Sequence, residues 1–159
     1  MLGNSIASCT VFPRPDTEGE LLDLIRSIVE ETGGEEARAV VEEVGGYIGE
    51  DQPASRAFTF GRGYGYILGV LGALNVRVEL IKPQAWQKAL GLGTSGRTRA
   101  SRGASEAERK AVRDFNAGAK RDWKNKLKEK AQQLFPTIPV TLKTCDALLL
   151  LEYGRRTGG

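Results

Sequence analysis

Two short runs rich in β-branched residues, Ala37–Val44 and Val76–Leu80, are separated by a segment whose apolar residues recur at helical spacing. Strands joined through a helix pair parallel rather than as a hairpin, so this order calls for a layered α/β fold. Further elements extend the pattern. Ser5–Phe12 reads as a strand closed by Pro13 and Pro15. Thr17 with Glu20 three positions later forms a capping box, and Leu21, Leu22, Leu24, Ile25, Ile28 and Val29 follow on one helical face. That helix is expected to stop near Thr32, ahead of Gly33 and Gly34. The resulting order is strand, helix, strand, helix, strand, then helices.

The crossover segment is unusual in its glycines. A helix is expected over Arg62–Leu74, carried by Ile67, Leu68, Val70, Leu71 and Leu74. Gly65 and Gly69, four apart, flatten one side of it and permit close approach of another backbone. The segment lacks the Lys and Ser/Thr of a phosphate-binding loop and does not match a dinucleotide fingerprint. Beyond Val76–Leu80, Lys82-Pro83 opens a short helix containing Trp86. GLGTSGRTRASRG at Gly91–Gly103 is rich in small residues and arginine, and a basic, flexible segment is expected over 91–119. Helices are expected at Ser105–Phe115 and Lys120–Leu134, the latter with Trp123, Leu127, Ala131 and Leu134 as its apolar stripe. Pro136 and Pro139 bound a turn, and a last helix follows Thr144, with Asp146 in its first turn, where the helix dipole favours a carboxylate.

Residue inventory narrows the chemistry. The chain has no histidine and only two cysteines, Cys9 and Cys145, which removes zinc-finger, Cys-His and His-based triad chemistry. Any metal would be a hard ion on carboxylates. Glu42 shares a strand face with Val40 and Val44, where a lone buried acid is costly. It is therefore neutralised, exposed at the strand end, or metal-bound. Charge is segregated: residues 16–50 hold eleven acids and two bases, and residues 97–130 hold twelve bases and five acids. A cationic stretch of that kind suits a polyanionic partner. No apolar run reaches 18 residues and the start lacks a basic-then-apolar leader, so neither a membrane span nor a secretory signal is expected.

AVVEEV at Ala39–Val44, FTFGRGYGYILGVLGAL at Phe58–Leu74, IKPQAWQKALGL at Ile81–Leu92, KRDWKNKLKEKAQQLFP at Lys120–Pro136 and DALLLLEYGRR at Asp146–Arg156 come in an order that resembles RuvC-type and phage Holliday-junction resolvases. The resemblance spans roughly residues 11–156. It implies one RNase H-like domain over 1–159, a mixed sheet with helices packed on its faces, acting as a homodimer in the cytoplasm of a bacterial or phage-infected cell. It also implies cleavage of branched DNA with Mg²⁺ or Mn²⁺ held by carboxylates. Carried over by motif, Glu42 matches the middle-strand acid and Asp146 the helix-borne acid, and the two are expected to converge on one metal site. The sequence departs from the family in two places. Against the family pattern, the opening acid-bearing strand of the N-terminal hairpin is not expected within these residues, where only Asn4 stands near that place, and Lys143 stands where many members carry another acid or a histidine. A lysine there suits water orientation or a phosphate contact.

The expected function is therefore a metal-dependent, structure-selective DNA endonuclease with Glu42, Asp146 and Lys143 in its site. DNA would lie on Arg97, Arg99, Arg102, Lys120, Arg121, Lys124 and Lys128. The alternatives are a branched-DNA-binding protein of the same fold without catalysis, and a protein-interaction domain.

Overall fold

The computed structural model describes residues 9–33, 37–45 and 53–158. Their elements are α1 (Glu18–Glu31), β1 (Arg38–Glu42), α2 (Ala54–Ala73), β2 (Arg77–Ile81), α3 (Pro83–Ala89), α4 (Glu106–Leu134) and α5 (Cys145–Thr157). They fall into two compact units, one of Thr10–Lys82 and one that takes in the chain from Pro83 onward. Asn4 and the first half of the strand expected at Ser5–Phe12 lie outside the described residues, and Cys9–Phe12 form no strand.

In the first unit, α1 starts on the capping box read from the sequence. Thr17 Oγ1 accepts the Glu20 N–H at 3.2 Å, and the Glu20 carboxylate accepts the Thr17 N–H at 3.2 Å. The helix closes at Thr32, whose N–H donates to Ile28 O at 3.0 Å, and Gly33 then takes φ +95°, a conformation costly for any other residue. β1 and β2 pair in parallel, with Ala39 opposite Val78 and Glu42 opposite Ile81. Arg38 and Glu79 add an ion pair at 3.2 Å across the strands. Two strands are too few to stand alone, and α2 packs on β2 and on α1 to cover them. Val70, Leu71, Val76 and Ile81 are buried there.

α2 starts eight residues ahead of its expected span, taking in Gly61, and ends at Ala73. Each helical glycine costs roughly 0.5–1 kcal/mol relative to alanine. Burial of Val70 and Leu71, with contacts from α2 to the start of α1, offsets that cost. Tyr66 Oη donates to Glu18 O at 2.5 Å, and Arg62 pairs with the Glu18 carboxylate at 3.0 Å.

In the second unit, α5 packs on α4, whose buried residues Leu127 and Ala131 lie in its C-terminal half, and α3 packs on α5. The core holds Trp86, Leu92, Leu127, Ala131, Phe135, Cys145, Leu148 and Leu149. Where the sequence suggests two helices with a break around Asn116–Gly118, α4 is one helix of 29 residues. A reciprocal cap of Ser105 and Glu108 starts it, and one interior glycine is a cost that good helix formers on both sides carry. No helix of the described residues is long and apolar enough to cross a membrane.

Candidate functional site

Asp146 sits in the first turn of α5, as its spacing after Thr144 suggests. Thr144 itself does not cap that helix with its side chain. Its hydroxyl accepts the Thr141 N–H at 3.0 Å instead, so the turn before α5 is internally bonded. The Asp146 carboxylate is half-buried and forms an ion pair with Lys124 of α4. Two residues assigned separate roles from the sequence, a metal ligand and a DNA contact, are thus each other's partners. The cause lies in the packing: α4 and α5 bury their apolar stripes together, which brings Lys124, one position past Trp123, over the first turn of α5. Beside them Cys145 is fully buried, and burial pushes its thiol pKa up, which keeps it an inert core group.

Lys143 is exposed in the turn, its backbone N–H donating to Thr141 Oγ1 at 3.2 Å. Glu42 is half-buried at the carboxyl end of β1, and the next residue continues the ladder through Glu43 N–H to Ile81 O at 2.8 Å. Glu42 belongs to the first unit, and Asp146 and Lys143 to the second. Among the described residues no three Cys, Asp or Glu side chains gather in a group that could hold a metal ion. The carboxylate of Asp146 is met by the Lys124 ammonium.

The basic segment is more ordered than its composition suggests. The Asn116 side chain accepts the Thr98 N–H and donates to Thr98 O, both at 2.9 Å, clasping the loop at its middle. Arg97 and Arg99 flank that clasp. Lys126 donates to Leu92 O at 2.6 Å where the loop begins, and its ammonium lies 5.7 Å from the centre of the Trp123 ring. Several cations in this stretch have local acidic partners: Arg113 with Glu106 at 2.7 Å, Lys110 with Asp114 at 3.3 Å and, more loosely, Arg121 with Asp122 at 3.9 Å. Among the described residues, Arg97, Arg99, Arg102, Lys120 and Lys128 have no acidic partner, and all five are exposed.

The sequence reading missed Glu152. It is buried in α5 and held by Arg155 and Arg156, at 2.8 and 2.7 Å. The signal was present as an acid followed by bases three and four positions on, a spacing that aligns side chains on a helix.

Compared with models of known protein families, with curated proteins and with solved structures, the chain matches none.

Proposed function

We propose that this chain binds branched or duplex DNA through the loop and helix of its second unit, as a resolvase-like protein for which binding is the primary property. The observation that supports this most is a set of five exposed cations that have no acidic partner among the described residues, Arg97, Arg99, Arg102, Lys120 and Lys128, three of them on a loop tied to α4 by Asn116. A pre-ordered loop gives up less conformational freedom when it meets phosphates than a free coil does. Phosphate contacts of this kind supply affinity and little sequence reading. The pairing of Asp146 with Lys124 favours binding over catalysis, because a metal ion there has to displace a tethered cation.

A second reading, the metal-dependent endonuclease acting at Holliday or other branched junctions, draws on one observation. Glu42 stands at the carboxyl end of a parallel strand, where sites of open α/β sheets gather. It requires Glu42 and Asp146 to share one Mg²⁺ or Mn²⁺, and a homodimer suits the two strands of a junction. One experiment separates the readings: a labelled four-way junction and a linear duplex are titrated with the protein, with and without Mn²⁺. Salt-dependent binding with no cleavage supports the first reading. Cleavage that disappears in Glu42→Ala and in Asp146→Ala supports the second, and absence of binding to either DNA returns the chain to the protein-interaction alternative.

A further inference from the structure

An open groove of about 520 Å³ runs between the loop at Thr94–Gly96 and one face of α4. Its walls on the helix are Phe115 and Trp123, eight residues and so about 12 Å apart along the axis. Gly118 and Ala119 lie between them and leave the floor flat. Phe115 is 56% exposed, a large ring that this unit does not use for its own core. Arg97 Nε donates to Ser95 Oγ, a group of the loop wall, at 3.4 Å, while Lys126 lines the groove. The clasp between Asn116 and Thr98 holds the loop wall in place.

We propose that this groove receives an unpaired nucleobase of a bound DNA strand, with its phosphate on Arg97 and Lys126. The proposal rests on the DNA-binding reading and names the feature of the substrate that this surface selects. Rings about 12 Å apart are too distant to sandwich one base, so the base stacks on the exposed Phe115 ring over the flat floor, and stacking of that kind is tolerant of base identity. Asp114 and Asp122 also line the groove and accept hydrogen bonds from exocyclic amino groups. A cationic side chain from a protein partner is the competing occupant, since acids and aromatic rings also suit it. It is disfavoured because Asp114 and Asp122 already face Lys110 and Arg121, the Trp123 ring has the Lys126 ammonium near it, and Arg97 stands beside Ser95. A neutral ring carrying an anionic phosphate is attracted by Lys126 and Arg97.

The test uses the full chain and three probes: a fully paired duplex, the same duplex carrying a two-nucleotide bulge with 2-aminopurine in the bulge, and free dAMP. Wild type is expected to bind the bulged duplex about tenfold more tightly than the paired one and to quench the 2-aminopurine emission. Phe115→Ala should lose both the preference and the quench, with affinity for paired duplex unchanged. Gly118→Leu gives an independent check: a Cβ at this position meets nothing within 4 Å, so the backbone has room for a side chain that projects toward the groove, and an unchanged unfolding midpoint verifies that the fold is kept. It should abolish the preference as fully as Phe115→Ala does. Equal preference and equal quench in wild type and both variants, with paired-duplex binding intact, overturns the groove while leaving the DNA-binding reading in place. Loss of all DNA binding in wild type overturns that reading and the groove together. Binding of dAMP as tight as that of the bulged duplex overturns the assignment to a DNA strand and makes the groove a site for a free nucleotide.

Discussion

Glu152 shows how a residue's chemistry can be structural where its type suggests function. Its side chain is only 6% exposed, yet both arginine partners reach it from the same helix, so its charge is met without a metal or ligand. The hydrogen bond from Arg155, more than any other contact, holds its carboxyl below the ordinary glutamate pKa of about 4.3. Because the folded value is depressed, the stabilisation is fully present above the unfolded value and is lost as pH falls through the folded one. Glu152→Gln is therefore expected to cost about 1–2 kcal/mol at pH 7, an estimate reduced for the partial exposure of both arginines. The difference between wild type and variant should shrink on going from pH 5 to pH 3, as chemical denaturation at each pH can measure. A constant gap across that range rules out the ionised carboxylate as the source. Asp146 is the contrasting case. Its place in the first turn of α5 was legible from the sequence, but its partner was not, because Lys124 lies 22 positions away and reaches it only through helix packing. Lys124→Ala is expected to lower stability by about 0.5–1 kcal/mol, in keeping with a half-exposed pair.

Boundaries set by local chemistry were legible at the scale of elements. The capping box at Thr17 and Glu20, the stop at Thr32, and Pro83 opening α3 all follow from groups within four positions of one another. The extents of α2 and α4 were not, since glycine reads as a breaker while its actual cost is small enough for tertiary burial to override. The glycines of α2 remain the sharpest question at this level. A Cβ at Gly65 or Gly69 meets nothing within 4 Å, so the flat side read from their spacing is not used for packing among the described residues. Gly65→Ala and Gly69→Ala should then each stabilise a monomer by about 0.5–1 kcal/mol, raising Tm by roughly 1–4 °C. If the chain is a homodimer that packs through this face, the same changes push the helices apart and weaken association. Thermal melts at two protein concentrations, with sedimentation of wild type and variants, separate the two outcomes. A concentration-independent rise in Tm in a monomeric protein counts against a dimer built on α2.

Charge divides across the molecule along its structural units. Thr10–Lys82 carries thirteen acids and seven bases, a net charge of −6, whereas the rest of the chain carries seven acids and sixteen bases, a net charge of +9. The overall +3 conceals this, and only a windowed reading of the sequence exposes it. The parallel strand pair was likewise legible from element order, because a helical crossover dictates it. The meeting of α4 with α5 was beyond reach, since it depends on which apolar stripes find each other. The division of charge makes a quantitative prediction for the proposed DNA binding. Each phosphate neutralised on duplex DNA contributes a slope of about −0.9 to the dependence of log K on log salt. If Arg97, Arg99, Arg102, Lys120 and Lys128 each meet one phosphate, the slope for wild type should be about −4.5. Replacing the three arginines by serine should bring it to about −1.8 and weaken binding to every duplex sequence in parallel, because such contacts do not read bases. The three positions are exposed and make no ion pair within the described residues, so the variant's unfolding midpoint should stay within the error of wild type. Fluorescence anisotropy at four salt concentrations between 50 and 200 mM measures both slopes. A triple variant that keeps the wild-type slope moves the DNA off the loop, and a wild-type slope near zero removes DNA as the partner of the cationic unit.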